Sequence, residues 1–135
     1  PRVKRSVGKA TVYGYMDQLL GRPVRVYLSL TPTSKKLYRV GIHFPSLQVE
    51  KTRKEVLETL VGKYGRPSFK RKKELLFGET VWRAGKSTEI VLVYGFGSLK
   101  VVYEDRALAG LKAREKEKLE AEEREAHEAE DSHKF

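Results

Sequence analysis

Hydrophobic and polar residues alternate with a period of two over several stretches, a pattern typical of β-strands with one buried face. The clearest case is RPVRVYLSL, in which Val24, Val26 and Leu28 share one face. The same alternation predicts strands in ATVYGYM, in KLYRVGIHF and over residues 74–83, 88–94 and 98–104. The polar run TPTSKK predicts a hairpin loop between the second and third strands.

The period changes to that of a helix in the middle of the chain. Apolar residues recur at helical spacing from Val56 to Tyr64, which predicts one amphipathic helix over residues 50–64. Gly65 predicts its end. Thr52 and Glu55 predict a capping box at its start, because a threonine followed three residues later by a glutamate can satisfy the first free N–H groups.

The last thirty residues consist of strong helix formers with opposite charges four positions apart. Only Leu108, Leu111 and Leu119 provide large apolar anchors. We therefore expect a charged helix whose distal half is solvated, frayed or available to a partner.

The order of elements defines the expected fold class. Three strands, a helix, three more strands and a final helix (β-β-β-α-β-β-β-α) predict an α+β fold. Its antiparallel sheet of about six strands packs against one helix, and a charged helix follows at the C-terminus. Residues 1–105 would form a single domain and residues 106–135 a helical extension.

The last two strands of this domain are apolar on both faces. A fold of two layers covers only one face of a sheet, so either a second element, such as the segment from Leu108 to Leu119, or a partner should cover the other. We expect this partner to be another protein or a second copy of the chain. The predicted partner-binding face consists of Val91, Val93 and Val102.

Charge is concentrated in the body of the chain. Residues 1–105 contain 21 lysine and arginine residues against 9 acidic ones, a net charge of +12. Such a field favours anionic partners, including nucleic acid. The sharpest signal is FKRKK, interpreted either as an anion-binding loop or as a solvated loop that keeps the protein soluble. The candidate contact residues are Lys70, Arg71, Lys72, Lys73, Arg66, Arg2, Lys4 and Arg5.

The chain contains a Gly-Lys-Ser-Thr run, but its context does not fit a phosphate-binding loop. Such a loop needs a glycine five positions before Gly85 and a helix directly after it. Thr80 holds the first position, and the residues after the run alternate like a strand. A hairpin turn is the better interpretation.

No other pattern predicts catalysis. The chain has no cysteine, and its three histidines have the spacing of neither a metal site nor a catalytic triad. No pair of carboxylates is placed for acid and base chemistry. We therefore predict no catalytic residue, no metal and no cofactor, and the sequence identifies no small-molecule substrate. No run is long enough to span a membrane.

Three segments, VLETLVGKYGRPS, VWRAGKSTEIVLVYG and LKVVYEDRALAGLKAREKE, resemble small bacterial cell-envelope and lipoprotein-type domains of unknown function. The resemblance covers about half of the chain and implies export to the periplasm or cell envelope and a non-catalytic role. The composition is compatible with the cytoplasm as well. The residues that carry the resemblance are Lys63, Tyr64, Gly65, Pro67, Trp82 and Tyr103.

Two functional hypotheses follow. The first is a non-enzymatic α+β domain that binds another protein through its sheet face or its tail. The alternative is sequence-tolerant binding of nucleic acid or another polyanion through a basic surface.

Overall fold

A computed structural model describes residues 3–7, 10–45, 49–74, 77–95 and 97–132 of the chain. They form one antiparallel sheet of eight strands and two helices. The elements are β1 (Val3–Val7), β2 (Ala10–Leu19), β3 (Arg22–Leu30), β4 (Leu37–Phe44), α1 (Val49–Tyr64), β5 (Phe69–Glu74), β6 (Phe77–Ala84), β7 (Thr88–Gly95), β8 (Ser98–Asp105) and α2 (Arg106–Ser132).

The sheet consists of two four-stranded meanders joined side by side, with strand order β1-β2-β3-β4-β8-β7-β6-β5. The last strand of each meander, β4 and β8, forms the junction. Strands β1 and β5 therefore lie at opposite edges of the sheet. The α+β class, the antiparallel sheet and the C-terminal helix are confirmed.

The two edge strands are the elements that the sequence pattern did not predict. Their sequences, VKRSV and FKRKKE, carry charged residues on both faces instead of an apolar stripe. An edge strand pairs with only one neighbour, and lysine there hinders pairing with a further chain. The basic run FKRKK is thus a strand, and its interpretation as a loop was wrong.

Helix α1 packs on one face of the sheet and forms the main core with it. It begins at Val49, so Thr52 is fully buried inside the helix and the predicted capping box was wrong. Glu55 instead accepts a 2.6 Å hydrogen bond from Arg22. The buried core residues are Val24, Val26, Phe44, Val56, Leu60, Trp82, Ile90, Leu92, Leu99 and Val101.

The C-terminal end of α1 is fixed by a cluster of aromatic and glycine residues. Gly65 has a φ of +81°, and its N–H donates to the carbonyl of Val61 at 2.8 Å, which closes the last turn. The indole N–H of Trp82 donates to the Gly65 carbonyl at 3.0 Å. The Tyr64 ring lies edge-to-face with that of Tyr103, 6.5 Å between centroids. Four of the residues that carried the sequence resemblance thus form a helix cap.

Helix α2 starts directly after β8, and the Asp105 carboxylate accepts a hydrogen bond from the N–H of Leu108. Three turns later, Glu115 accepts hydrogen bonds from the N–H groups of Thr33 and Ser34, which fixes the β3–β4 loop to the helix. Beyond residue 121, the described side chains of α2 are exposed. The distal half is helical and solvated, as one of the sequence alternatives predicted.

Candidate anion-binding surface

The two faces of the sheet differ in character. One face packs against α1, and we call the other the open face, because its residues lie outside the cluster formed with α1. Directly opposed residues of paired strands share a face, so the register shows on which face of the sheet each side chain lies. Arg25 lies opposite His43, and His43 lies opposite Lys100, which places all three on the open face.

Three cations surround His43 there, and we call Arg25, Tyr27, Arg39, His43 and Lys100 the basic patch. The row from Arg25 to Lys100 spans two interstrand spacings, about 10 Å. Both arginines are exposed and Lys100 is half-buried. Within the described part of the chain, none of the three cations forms an ion pair.

An aromatic side chain lies beside these cations. The ring of Tyr27 packs over Gly14 of the neighbouring strand, where an added Cβ would come within 3.3 Å of it. The same ring meets His43 edge-on, with 5.0 Å between the centroids and 68° between the planes. Tyr27 is half-buried and held on two sides. A supported ring among cations can stack on a nucleobase.

The environment of His43 disfavours its protonated form. Partial burial lowers the pKa of His43 below its usual 6.5, and the nearby charges of Lys100, Arg39 and Arg25 lower it further. The imidazole is therefore mostly neutral at pH 7. The patch holds its positive charge on the three permanent cations alone.

This shift predicts an acid-dependent loss of stability. The pKa of His43 is lower in the folded chain than in the unfolded chain, so the unfolded chain binds the proton more readily. The free energy of unfolding therefore decreases as the pH falls from 6.5 toward the pKa of the folded state. We expect His43→Gln to reduce the fall in melting temperature over this range relative to the native chain. Thermal denaturation of both proteins between pH 7 and pH 5, followed by circular dichroism, measures the difference. Parallel curves would contradict the shift.

The other half of the open face is neutralised internally. Arg71 pairs with Glu79 at 2.9 Å and with Glu89 at 3.8 Å. Arg83 also reaches Glu89, at 3.9 Å, and both arginines lie over the ring of Phe69. We call these five residues the ion-paired patch. Its arginines already have carboxylate partners. Over β3, β4 and β8 the same face holds Arg25, Arg39 and Lys100 together with a carboxylate, Glu104, which lies opposite Arg39.

A row of apolar residues separates the charged rows of the open face. The predicted partner-binding residues Val91, Val93 and Val102 all lie on this face. Val102 is buried, whereas Val91 and Val93 are half-buried. Among the large exposed apolar side chains, Met16 lies on the open face opposite Arg25, whereas Leu19 lies opposite Arg22 on the side of α1 and Leu20 follows at the tip of the β2–β3 hairpin. Val91 and Val102 lie directly opposite each other, whereas Val93 lies opposite Lys100. Binding of a protein to these three valines stays a prediction.

The cations predicted from FKRKK do not form one cluster, because successive side chains of a strand point to opposite faces. Lys70 lies opposite Thr80 on the side of α1, whereas Arg71 lies on the open face. Lys72 and Lys73 belong to β5, and their side chains lie outside the described residues.

The other cations that the sequence predicted as contact residues do not belong to β5. Arg66 is exposed in the segment between α1 and β5. Lys4 and Arg5 belong to β1, at the opposite edge of the sheet, so the expectation that they assist FKRKK was wrong. Arg2 lies outside the described residues.

The Gly-Lys-Ser-Thr run forms the turn between β6 and β7, with Gly85 at a φ of +64°, as the hairpin interpretation predicted. Within the described residues, no group of three or more histidine and acidic side chains is placed to hold a metal ion. In the same part of the chain, neither helix has the length and apolar composition needed to cross a membrane.

The basic patch was not predicted from the sequence, although the alternation in two of its strands already indicated some of its residues. The alternation in β3 and β4 assigns Arg25, Tyr27, Arg39 and His43 to the faces opposite the apolar stripes. Nothing local indicates that β4 pairs with β8, and this pairing brings Lys100 beside His43.

No family model, curated protein or solved structure matches this chain. The resemblance to cell-envelope domains therefore stays a prediction, and the geometry of the open face is what indicates a function.

Proposed function

We propose that this protein is a non-enzymatic domain that binds single-stranded nucleic acid, with little sequence preference, through the basic patch. The observation that carries the proposal is the grouping of three unpaired cations around the Tyr27–His43 ring pair on a face that α1 leaves uncovered. It develops the second of the two sequence hypotheses, with a different set of residues.

The electrostatic part of this proposal depends on unpaired charge. A cation that approaches a phosphate releases condensed counterions, whereas a cation already held by a carboxylate must first give up that partner. Arg25, Arg39 and Lys100 are free to bind in this way. Arg71 and Arg83 are engaged by Glu79 and Glu89, so we expect them to mark the limit of the binding surface.

The aromatic part distinguishes nucleic acid from other polyanions. The Tyr27 ring is supported by Gly14 and His43 and loses little freedom when a base stacks on it. Stacking tolerates any base, because every base has a π face. An open sheet face with one ring and several cations suits single-stranded nucleic acid better than a duplex, whose bases are already stacked.

The test replaces the three cations together, as Arg25→Gln, Arg39→Gln and Lys100→Gln. We expect the affinity for a fluorescent oligothymidine to fall at least about tenfold at low salt. The slope of log affinity against log salt should flatten by up to about 2, since each neutralised phosphate of a single strand contributes about 0.7. Fluorescence anisotropy at several salt concentrations measures both quantities.

A matched control removes the same charge from other exposed positions, as Lys86→Gln, Lys116→Gln and Arg124→Gln. It should leave the affinity within about twofold of the native value, because screened charges distant from the site contribute little. Tyr27→Leu should weaken oligothymidine binding while leaving heparin binding unchanged. An equal loss in the control variant, or no binding of oligothymidine at low salt, would rule out the proposal.

A protein partner is the second candidate, and the hairpin tip favours it. Met16 is 54% exposed, and Leu19 and Leu20 are 41% and 40% exposed. The hairpin tip thus presents apolar surface on both faces, which a protein partner could cover. Met16 lies on the open face directly opposite Arg25, so a protein bound at the hairpin tip would also approach this cation of the basic patch.

A further inference from the structure

The helix side of the sheet holds a cleft that the proposed function does not use. It lies between the first half of α1 and strands β5, β6 and β7, and has a volume of about 620 Å³. This is within the range of about 300 to 1,000 Å³ that is usual for small-molecule sites. The sheet separates it from the basic patch, because Lys70 and Tyr94 belong to the face that packs against α1.

The rim of the cleft is positively charged. Lys51 and Lys54 lie on α1, and Lys70 approaches from β5. All three side chains are exposed, and within the described residues none of them forms an ion pair. Glu50 is the acidic residue that lines the cleft, and its carboxylate is engaged by Arg53 at 2.9 Å. The cleft therefore offers three free ammonium groups to a ligand.

The floor of the cleft is mostly apolar, with Thr80 and Arg53 as its polar members. Leu57, Leu92 and Tyr94 contribute carbon surface, and Leu92 is fully buried. The guanidinium of Arg53 lies 4.5 Å from the centre of the Tyr94 ring. The ring also covers Gly78 of the neighbouring strand, where an added Cβ would fall 2.6 Å from its Cζ atom. Tyr94 is thus held between Arg53 and the glycine backbone.

We infer that this cleft binds a small phosphorylated organic molecule. Three ammonium groups on two different elements match the two charges and three terminal oxygens of a phosphate monoester, and charge-assisted hydrogen bonds are the strong ones. The apolar wall formed by Leu57 and Tyr94 suits the carbon skeleton that carries the phosphate. A free phosphate would contact only the lysines of the rim, whereas a phosphate monoester would contact both the lysines and the apolar wall.

The test uses calorimetric titration of the full chain with adenosine 5′-monophosphate, adenosine and inorganic phosphate as separate probes, in a buffer that is otherwise free of phosphate. We expect the monophosphate to bind, adenosine not to bind detectably, and inorganic phosphate to bind more weakly than the monophosphate. The affinity for the monophosphate should fall at least about tenfold in a triple variant with Lys51→Gln, Lys54→Gln and Lys70→Gln.

Two controls keep this result separate from general charge attraction and from the proposed function. Lys86→Gln, Lys116→Gln and Lys118→Gln remove equal charge elsewhere and should leave the affinity unchanged. The Arg25, Arg39 and Lys100 variant should also bind the monophosphate normally, since its substitutions lie on the other face. Circular dichroism verifies that each variant is folded. No binding of the monophosphate, or an equal loss in the control variants, would overturn the inference.

Discussion

Leu60→Ala should destabilise the fold by roughly 2 to 5 kcal/mol, because Leu60 is 4% exposed in the centre of the contact between α1 and the sheet. The substitution removes apolar contacts and leaves a cavity that the packed strands can close only partly. Urea denaturation measures the loss. Trp82 is the only tryptophan and lies in the same core, so its fluorescence reports unfolding directly.

The next residue along the helix provides the control. Val61 is 40% exposed, and its replacement by alanine should change the free energy of unfolding by less than about 0.5 kcal/mol. The two variants differ by one position in the sequence and by a rotation of about 100° around α1. Equal stabilities of Leu60→Ala and Val61→Ala would contradict the packing of the helix.

The elements with one buried face were predictable from the sequence, because burial imposes a period on the apolar residues. The helix over residues 50–64 differs from the observed Val49–Tyr64 by one residue. Val24 and Val26 pack in the same cluster as Leu60, as their alternation predicts. In these segments the local pattern and the tertiary contacts require the same structure.

The edge strands were not predictable in this way. Strand β5 lies at the edge of the sheet, and its sequence FKRKKE has no apolar period to detect. Its backbone hydrogen bonds to β6 hold it as a strand despite the charge repulsion, which Arg71 reduces by pairing with Glu79. The loop interpretation also affected the predicted binding site. Neighbouring residues of a loop can contact one ligand together, whereas Lys70 and Arg71 of the strand lie on opposite faces of the sheet.

The candidate site depends on contacts between distant parts of the chain. Arg39 and His43 were assignable to the less buried face of β4, but Lys100 joins them only through the pairing of β4 with β8. The same is true of Glu115, which accepts hydrogen bonds from the β3–β4 loop more than eighty residues earlier in the chain. Such contacts are set by strand order, which composition and periodicity do not encode.

The open face shows how the fold leaves a charged surface accessible. Helix α1 buries one side of the sheet, and the other side carries mostly polar and half-buried residues. Its central row, Val81, Val91 and Val102, lies between two charged rows. Over β5 to β7 the arginines and glutamates form ion pairs, whereas over β3, β4 and β8 three cations outnumber the carboxylate of Glu104. The unpaired half leaves charge available for a ligand.

The largest single contribution to stability should come from Trp82, which connects β6 to the end of α1. Its side chain is 1% exposed, and its indole N–H donates to the carbonyl of Gly65. Gly65 adopts the positive φ that ends the helix, so the indole fixes the position at which the chain leaves α1. The ring and the hydrogen bond therefore stabilise different features of the fold.

Trp82→Ala should lower the free energy of unfolding by about 3 to 5 kcal/mol, since it removes the largest fully buried side chain of the core. Trp82→Phe keeps much of the ring and loses the donor, and its cost should be clearly smaller, because one neutral hydrogen bond contributes only about 0.5 to 1.5 kcal/mol. Urea denaturation followed by circular dichroism at 222 nm measures both variants without the tryptophan signal. If the two variants lost equal stability, the hydrogen bond to Gly65 would dominate over ring packing. A Trp82→Ala protein as stable as the native chain would show that the indole does not lie in the core.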